Sequence, residues 1–496
     1  MLTLLLVLLG PAGAADLPTA PLSLGWTLSG SWPGSDYGLA LASAGDVDLN
    51  LFPDLVVGAP ADDQGRGRVA LYRAAQQGGG YTGESWTTSG TEENSGFGGV
   101  LAGGQDLDGD GFTDVAVGCS VGTWQVSVYA GGEGGLSVDP AWSEDSGGGT
   151  FGRSLAMPGD VDGDGYAELV AGNTSLGDNG QVLVYMGGHD GLGHSAVVLS
   201  GDEDHPVGAV VAAAGDVDGD GLADILSGGG PALETPLAAA VFAGSAAGPS
   251  PTPSYHLAWP SGAQGFGASM AGVGDVDGDG WQDLCIGADG IPATGGVAGA
   301  GQVLCWRGGA TGPDGTPTWT WADPVAGTMA GRAIAGAGDV DGDGFADVLI
   351  GRPAWSDDQH LEGGALLLMG SAAGLGTSTA WTMGGDADSS DHGDAWIGTG
   401  QAVAGLLDVD LDGYTDVAVG VPNVGADTDE GRLGQVRVYR GQAWAPPTGG
   451  GDTAADTGAD TGDSPAPSGC GCAGVGGALP GMGWLIGLLA LARRRR

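Results

Sequence analysis

Residues 266–287 of the chain read FGASMAGVGDVDGDGWQDLCIG, and the pattern of this stretch occurs seven times along the sequence. Each copy centres on an acidic loop, numbered from its first acid, with acids at positions 1, 3 and 9 and Asp or Asn at position 5. The seven loops begin 54 to 69 residues apart, at Asp46, Asp106, Asp160, Asp216, Asp275, Asp339 and Asp408. A repeat of this length fits one four-stranded blade of a β-propeller better than a solenoid unit of about 20–45 residues. The spacing therefore predicts an all-β fold, a single seven-bladed ring over residues 22–444.

Glycine holds each loop in a fixed frame. It occurs eight residues before the first acid and again twelve residues after it in every copy. Glycine makes up 106 of the 496 residues, so one match would carry little weight, whereas fourteen matches at fixed offsets indicate a structural repeat. The first set is Gly38, Gly98, Gly152, Gly208, Gly267, Gly331 and Gly400, and the second is Gly58, Gly118, Gly172, Gly228, Gly287, Gly351 and Gly420.

Each repeat can be read as four strands. The small residues before the loop suit a crowded strand beside the ring axis, and the apolar run after the loop forms the second strand. A third strand has the form of residues 181–185, and a fourth contains Trp26, Trp86, Trp142, Trp259, Trp321 or Trp381, or the segment 197–199. Because no fourth strand follows the last loop, we expect the strand around Trp26 to close the ring and remove the open sheet edge.

The acidic loops have the composition of a calcium site. Ca²⁺ takes six to eight oxygen ligands, which acids at positions 1, 3, 5 and 9 and the carbonyl at position 7 can supply, while glycine at position 6 permits the sharp turn. His and Cys ligands, which zinc prefers, are missing from the loops. The first loop departs most, with Asn50 at position 5 and Leu51 at position 6, so we expect it to bind Ca²⁺ most weakly. The predicted ligands are Asp46, Asp48, Asn50, Phe52 and Asp54 in loop 1; Asp106, Asp108, Asp110, Phe112 and Asp114 in loop 2; Asp160, Asp162, Asp164, Tyr166 and Glu168 in loop 3; Asp216, Asp218, Asp220, Leu222 and Asp224 in loop 4; Asp275, Asp277, Asp279, Trp281 and Asp283 in loop 5; Asp339, Asp341, Asp343, Phe345 and Asp347 in loop 6; and Asp408, Asp410, Asp412, Tyr414 and Asp416 in loop 7.

Composition excludes one class of partner. The formal net charge is −47, and 27 of the 61 acidic residues occupy loop positions 1, 3, 5 and 9, where bound cations would neutralise them. The chain has only 14 Lys and Arg residues, whereas nucleic-acid binding needs basic side chains to neutralise phosphates. We therefore expect no nucleic-acid partner.

The two ends of the chain have the composition of export and anchoring segments. Residues 1–15 are apolar and end in small residues, as in a signal peptide. Residues 445–468 form a Gly/Asp/Thr-rich disordered linker, and residues 469–496 contain Cys470, Cys472, an apolar segment long enough to span a membrane and four terminal arginines. This tail resembles the MYXO-CTERM sorting tails of Gram-negative bacteria, which implies an exported protein attached to the outer envelope through one of the two cysteines. A plain transmembrane anchor is the alternative.

The repeats resemble the FG-GAP repeats of integrin α-chain propellers. The Phe-Gly element is present as Tyr37-Gly38, Phe97-Gly98, Phe151-Gly152 and Phe266-Gly267, and the Gly-Ala-Pro element as residues 58–60. Three repeats have Val207, Ala330 and Thr399 before the glycine instead. The resemblance covers residues 22–444 and implies a seven-bladed propeller with Ca²⁺ in its loops. It does not imply heterodimers, because nothing in the chain resembles integrin stalk domains.

Other motifs carry less weight. Residues 118–122 match the Gly-x-Ser-x-Gly nucleophile elbow, but they follow a strand in the propeller frame and lack the helix and the positioned His that the elbow requires. The six histidines fall in variable connections, and the acids at 386–394 form either a solvated loop or another cation site. Cys285 and Cys305 lie on predicted adjacent strands, where they would form either a disulfide or two unpaired thiols in the core.

The leading functional hypothesis is therefore a calcium-binding, cell-surface propeller that is not an enzyme and acts in adhesion to, or recognition of, a protein or glycan. Variable hairpins would present the binding surface, and the insertions at 288–301, 352–363 and 384–398 are the candidate contact regions. One alternative is a hydrolase or lyase acting on surface polymers, which would need acids and His converging on the ring axis. Another is an architectural envelope protein.

Overall fold

Seven antiparallel sheets of four strands account for most of the computed structural model. It describes residues 20–444 apart from 76–79, 122–123, 146–148, 178, 203–204, 230–238, 259–264, 291–300, 326, 357–361, 385–397 and 424–432. Each sheet is one blade, numbered by the acidic loop that it contains. The first strand is β1 (Leu22–Ser29), and blades 1 to 3 follow as β2 (Ala40–Gly45), β3 (Asp54–Ala59), β4 (Arg68–Ala74) and β5 (Tyr81–Ser89); β6 (Phe97–Gln105), β7 (Asp114–Cys119), β8 (Gln125–Tyr129) and β9 (Trp142–Asp145); β10 (Leu155–Ala156), β11 (Leu169–Asn173), β12 (Gln181–Tyr185) and β13 (Val197–Ser200).

The remaining blades repeat the same order. They are β14 (Val210–Gly215), β15 (Asp224–Gly228), β16 (Ala239–Phe242) and β17 (Tyr255–Leu257); β18 (Phe266–Gly274), β19 (Asp283–Ala288), β20 (Gln302–Trp306) and β21 (Trp319–Ala322); β22 (Ala333–Gly338), β23 (Asp347–Gly351), β24 (Gly364–Leu368) and β25 (Thr379–Gly384); and β26 (Val403–Leu407), β27 (Asp416–Val421) and β28 (Gln435–Gly441). A single helical turn, α1 (Asp62–Gly65), lies between β3 and β4. Among the described residues, no helix has the length and apolar character needed to cross a membrane.

The N-terminal strand closes the ring, which confirms the prediction. Blade 7 has the order β26-β27-β28-β1, so its outermost strand comes from the start of the chain. The strands are antiparallel, with Leu22 opposite Gly441 and Trp26 opposite Val438. This pairing gives blade 7 its fourth strand and covers the edge of β28, which would otherwise be open.

The two sets of framing glycines meet at the seams between blades. The NH of Gly152 donates to the carbonyl of Gly172 at 3.1 Å within one blade, and its φ of +72° is a conformation that glycine adopts readily. Across the seam, a Cβ on Gly118 of the preceding blade would lie 2.6 Å from the Gly152 carbonyl oxygen. The same inter-blade contact recurs at most seams, including the closing one between Gly420 and Gly38. The repeat therefore needs glycine at both offsets because backbones touch there.

The core consists of layers between neighbouring blades. Each hydrophobic cluster contains buried residues of two adjacent sheets, and the seven clusters cover the seven seams. The fourth-strand tryptophans contribute to these layers, since Trp142 and Trp321 are each only 6% exposed. Strand β13 occupies the fourth place in blade 3, as predicted, whereas Trp259 lies outside the described residues.

The first strands surround a narrow axial channel of about 340 Å³. Its described lining is made of small and apolar residues, such as Ala102, Gly103, Ala212 and Gly272. The prediction that small side chains occupy the strand beside the axis is therefore correct. The signal peptide, the linker and the tail fall outside the described residues, and their predicted boundaries stay predictions.

Candidate metal-binding loops

All seven acidic loops lie on one face of the ring, because each joins the first strand of a blade to the second. In loop 5, Asp275 accepts the NH groups of Gly278 at 2.6 Å and Gly280 at 2.8 Å through its two carboxylate oxygens. Asp279 accepts the NH of Trp281 at 3.0 Å. These bonds fold the loop back on itself. In loop 3, one carboxylate oxygen each from the acids at positions 1, 3 and 5 lies within 4.8 Å of the others, so these acids face a common centre.

The acid at position 9 is a buried latch between the loop and two strands. In loop 5, Asp283 accepts the NH of Val276 at loop position 2 and the NH of Gly308 after the third strand, both at 2.9 Å. The other six loops repeat both bonds, including loop 3, where the longer Glu168 takes the place of Asp. The latch residues are Asp54, Asp114, Glu168, Asp224, Asp283, Asp347 and Asp416, each at most 2% exposed.

Burial perturbs these latch carboxyls. Desolvation raises the pKa of Asp283 to about 7 and that of Asp347 to about 8, although their two backbone NH bonds act in the opposite direction. A buried acid is ionised at lower pH when a cation is placed beside it, because opposite charge favours the charged form. A cation bound beside the latch would therefore stabilise its ionised form.

Unpartnered oxygens in the loops point to the same conclusion. The carboxyl oxygens Oδ1 of Asp48, Asp277 and Asp410, all at position 3, are buried and have no hydrogen-bond partner. A buried charged oxygen without a partner is costly, and a divalent cation is the group that an all-oxygen loop is suited to bind. In loop 2, one carboxylate oxygen each from Asp106, Asp108 and Asp114 lies within 4.8 Å of the others. The residues thus fit a hard cation such as Ca²⁺.

Three loops have an arginine beside the cluster. Arg307 Nε lies 2.6 Å from Oδ2 of both Asp277 and Asp279 in loop 5. Arg73 Nη1 lies 2.7 Å from Asp48 in loop 1, and Arg440 Nη1 lies 3.3 Å from Asp410 in loop 7. Each arginine directly precedes the residue whose NH binds the latch acid. The same place holds Ala130, Met186, Ala243 and Met369 in loops 2, 3, 4 and 6.

Comparison with known proteins identifies the repeat. A model described as FG-GAP-like repeat matches residues 106–171 and 160–227, and one described as FG-GAP repeat matches residues 330–368 and 399–439. The chain therefore contains FG-GAP repeats. Its relatives include integrin alpha-6 of Gallus gallus, 29% identical over 32% of this chain, and integrin alpha-7 of Homo sapiens, 36% identical over 29%. The matches span only 13% of either integrin chain.

The predicted resemblance to integrin α-chain FG-GAP propellers is thus confirmed. Three repeats lack the aromatic residue of the Phe-Gly element but keep the conformation of its glycine. Gly208, Gly331 and Gly400 have positive φ angles of 86°, 84° and 79°. The residue before each of these glycines is buried: Val207, Ala330 and Thr399 are at most 1% exposed. Smaller side chains thus occupy the buried place of the aromatic ring.

The position-7 side chains link neighbouring loops of the FG-GAP ring. A Cβ on Gly219, at position 4 of loop 4, would lie 2.5 Å from Trp281 Nε1 of loop 5, and one on Gly278 would lie 2.7 Å from Phe345 Cε1 of loop 6. The ring of Trp281 therefore lies over the loop of the preceding blade. In these loops, glycine at position 4 leaves room for this contact and adopts the positive φ without strain.

Loops 1 and 7 of the FG-GAP ring keep the positive φ angles of the other loops, but with leucine in place of glycine. Leu49 and Leu51 in loop 1 have φ angles of +56° and +79°, and Leu411 in loop 7 has +58°. Branched side chains are strained in this region, whereas glycine is not. In loop 1, Asn50 turns its Nδ2 to the carbonyl of Ala74 at 3.0 Å.

The cysteine pair and the elbow-like motif have structural roles, and two of the histidines lie unexpectedly close together. Cys285 and Cys305 form a disulfide between β19 and β20. Ser120 of the elbow-like motif donates its hydroxyl to the Gly96 carbonyl, and none of the described residues that line the axial channel has a titratable side chain. The acids at 386–394 lie outside the described residues. The sequence did not predict the contact between His205 and His256. These residues are 51 positions apart, and their ring centroids are separated by 3.9 Å.

Proposed function

We propose that this FG-GAP propeller is a calcium-dependent adhesion or recognition protein of the cell surface, exported and attached through its C-terminal tail. The observation that carries the calcium part is the latch, a buried carboxyl repeated in seven loops beside acids that face a common centre. Ca²⁺ bound there would supply the positive charge that the latch lacks and would hold the first, second and third strands of each blade together. The relatives named as integrin α chains support the adhesive part.

The seven loops would not bind Ca²⁺ equally. Arginines already neutralise part of the negative charge in loops 1, 5 and 7, and a guanidinium beside the same carboxylates opposes an incoming cation. Loop 1 also has Asn50 and two strained leucines. We therefore propose tighter Ca²⁺ binding in loops 2, 3, 4 and 6 and the weakest binding in loop 1.

The face opposite the acidic loops is the proposed contact surface. The hairpins between second and third strands and the connections from one blade to the next lie there, because consecutive strands alternate in direction. Trp32 is on this face with 57% of its surface exposed, and Val121 is 54% exposed. Exposed tryptophans are frequent among the residues that dominate the energy of protein interfaces. The described ends of the candidate insertions at 288–301, 352–363 and 384–398 also fall on this face, and the rest of these insertions lies outside the described residues.

A protein or glycan partner is favoured over a polymer substrate. Hydrolysis or elimination at the ring axis would need acids or histidines around the channel, and the described lining offers none. The architectural alternative predicts no specific ligand at all, so a binding experiment separates it from recognition.

A capture experiment tests the proposed function. The full chain is presented to arrays of surface glycans and envelope proteins in millimolar Ca²⁺ and in chelator, alongside the variant Trp32→Ala and the control Trp86→Phe. We expect calcium-dependent capture that Trp32→Ala weakens without a change in melting temperature. Absence of any capture by the folded, calcium-loaded chain would favour the architectural alternative.

Calcium binding itself is tested by melting. If the affinities are those of extracellular modules, with Kd of about 10⁻⁴ to 10⁻³ M, millimolar Ca²⁺ adds about 1 kcal/mol per site. Several occupied loops would therefore raise the melting temperature by many degrees relative to chelator. An identical melting curve in chelator would contradict the proposal.

A further inference from the structure

A second type of cluster lies on the outer rim between blades 3 and 4. Asp202 and His205 belong to the connection from β13 to β14, and His256 lies on β17, the outer strand of blade 4. One ligand atom from each side chain lies within 4.8 Å of the other two. The cluster is separate from the seven acidic loops, which lie at the opposite end of the blades.

The local backbone orients the first two side chains. Asp202 and His205 exchange NH-to-carbonyl bonds, both 3.2 Å long, and the Asp202 carboxylate also accepts the NH of His205 at 2.8 Å. The same Oδ1 lies 2.7 Å from Nδ1 of His205, whose side chain is only 20% exposed. The turn therefore holds the carboxylate and the imidazole in fixed relative positions.

The third side chain comes from a regular strand. His256 pairs with Ala240 in the ladder between β16 and β17, so its Cα position is fixed by the sheet. Its ring is tilted by 31° to that of His205, with centroids 3.9 Å apart. Two imidazoles and one carboxylate from two elements thus converge without using any residue of the acidic loops.

The chemistry of this donor set differs from that of the loops. Imidazole nitrogens suit first-row transition metals such as Zn²⁺, whereas the all-oxygen loops suit Ca²⁺. Zinc binds nitrogen and carboxylate oxygen at about 2.0–2.2 Å in tetrahedral geometry, which places ligand atoms roughly 3.4 Å apart. The ligand atoms of this cluster all lie within 4.8 Å of one another, so a bound ion would require them to close to about that separation.

We propose that Asp202, His205 and His256 form a transition-metal site of the Zn²⁺ class. The metal would join the connection after blade 3 to the outer strand of blade 4. Structural zinc sites have four protein ligands, whereas three ligands leave one position for water or for an external group. The site would therefore combine a link between two blades with an open coordination position on the outer rim.

Zinc titration of the full chain tests this proposal. Free thiols are alkylated first and millimolar Ca²⁺ is kept throughout, so that neither the cysteines nor the acidic loops compete for Zn²⁺. A chromogenic chelator reports the stoichiometry and the affinity. We expect one zinc ion per chain, and since losing even an outer-shell partner costs about 10–100-fold in affinity, His205→Asn and His256→Asn should each weaken binding at least about tenfold.

The control variant is His194→Asn. His194 is exposed, pairs with Glu144 at 3.1 Å and stacks on Trp142, so it resembles His205 in having a carboxylate partner. Its substitution should leave zinc binding unchanged. No zinc binding in the presence of Ca²⁺, or binding that survives both His205→Asn and His256→Asn, would overturn the proposal.

A measurement on the unaltered chain removes dependence on the folding of variants. Cu²⁺ binds the same donor set and reports its ligands through electron paramagnetic resonance. Hyperfine splitting from two imidazole nitrogens supports the site. A spectrum with oxygen ligands only would refute it.

Discussion

Replacing Arg307 with Met should strengthen calcium binding in loop 5. The guanidinium lies 2.6 Å from carboxylate oxygens of both Asp277 and Asp279, and the side chains of these acids are only 6% and 13% exposed. A cation entering the loop must share these carboxylates with Arg307 or displace it. Methionine keeps much of the aliphatic length and removes the charge, and the equivalent place in loops 3 and 6 is already methionine.

The size of the effect follows from the exposure of the arginine. Arg307 is 45% exposed, so solvent screens its ion pairs, and such pairs contribute up to about 1 kcal/mol. Since about 1.4 kcal/mol corresponds to a tenfold change in affinity, Arg307→Met should raise the calcium affinity of loop 5 about fivefold. In chelator, the same variant should be slightly less stable than the parent, because Asp277 and Asp279 lose their neighbouring positive charge.

Trp281 supplies a local reporter for the assay. Its backbone is at position 7 of loop 5 and its ring lies over loop 4. The chain has 15 tryptophans, so the signal of Trp281 is isolated as the difference between calcium titrations with and without Trp281→Phe, and calorimetry counts all sites. Arg332→Met is the matched control, because Arg332 forms a 2.9 Å ion pair with Asp289 on the opposite face. An unchanged or weaker affinity of loop 5 in Arg307→Met, with Arg332→Met like the parent, would refute the view that the arginine opposes calcium.

Three further predictions concern the latch, the loop contacts and the disulfide. Burial raises the pKa of Asp283 from 3.8 to about 7, so the calcium-free protein should lose stability as pH rises from about 4 to 7. Calcium binding at pH 6 should release protons, and calorimetry in buffers of different ionisation enthalpy measures this release. Gly278→Ala should destabilise by about 1–3 kcal/mol in urea unfolding, more than Gly280→Ala, because both have positive φ but only the first faces a ring at 2.7 Å. Replacing Cys285 and Cys305 by Ala should cost about 3 kcal/mol, measured the same way, because their bond closes a 20-residue separation.

The sign of the pH prediction depends on the calcium state. Without calcium the folded protein binds more protons than the unfolded chain between the two pKa values, so rising pH favours unfolding. With calcium the latch is held as a carboxylate, and the loss disappears. Stability that rises with pH in chelator would contradict the account of the latch.

Most of the fold could be predicted because the repeat is dictated by local chemistry. The loop acids, the framing glycines and the tryptophan strands occur at fixed offsets, and a missing fourth strand after loop 7 predicted closure by β1. The pairing of Cys285 with Cys305 stayed open, since two apolar positions on adjacent strands suit either a bond or two thiols. Geometry decided it, because the residues are directly opposite in the β19–β20 ladder.

The parts of the site that could not be predicted involve contacts between residues that are far apart in the sequence. Residue spacing shows which acids share a loop, but it does not show that Arg307 reaches them from the end of β20. The same holds for His205 and His256, which looked like unrelated loop residues because they belong to different blades. The partner is set by strand register within one blade in the first case and by the packing of neighbouring blades in the second, and a one-dimensional pattern contains neither.

The position-7 contacts join loops 2 to 7 into a connected belt, because each position-4 glycine of loops 2 to 6 faces the position-7 side chain of the next loop. The ring of Phe345 in loop 6 rests on Gly278 of loop 5, and Trp281 of loop 5 rests on Gly219 of loop 4. A cation that orders one loop fixes its position-7 carbonyl, and with it the side chain that covers the preceding loop. Filling one loop should therefore reduce the conformational entropy that its neighbour must lose, which gives positive cooperativity without a change of fold. The strained leucines of loops 1 and 7 lie on either side of the closing seam, so the belt is expected to be weakest where the chain closes its ring.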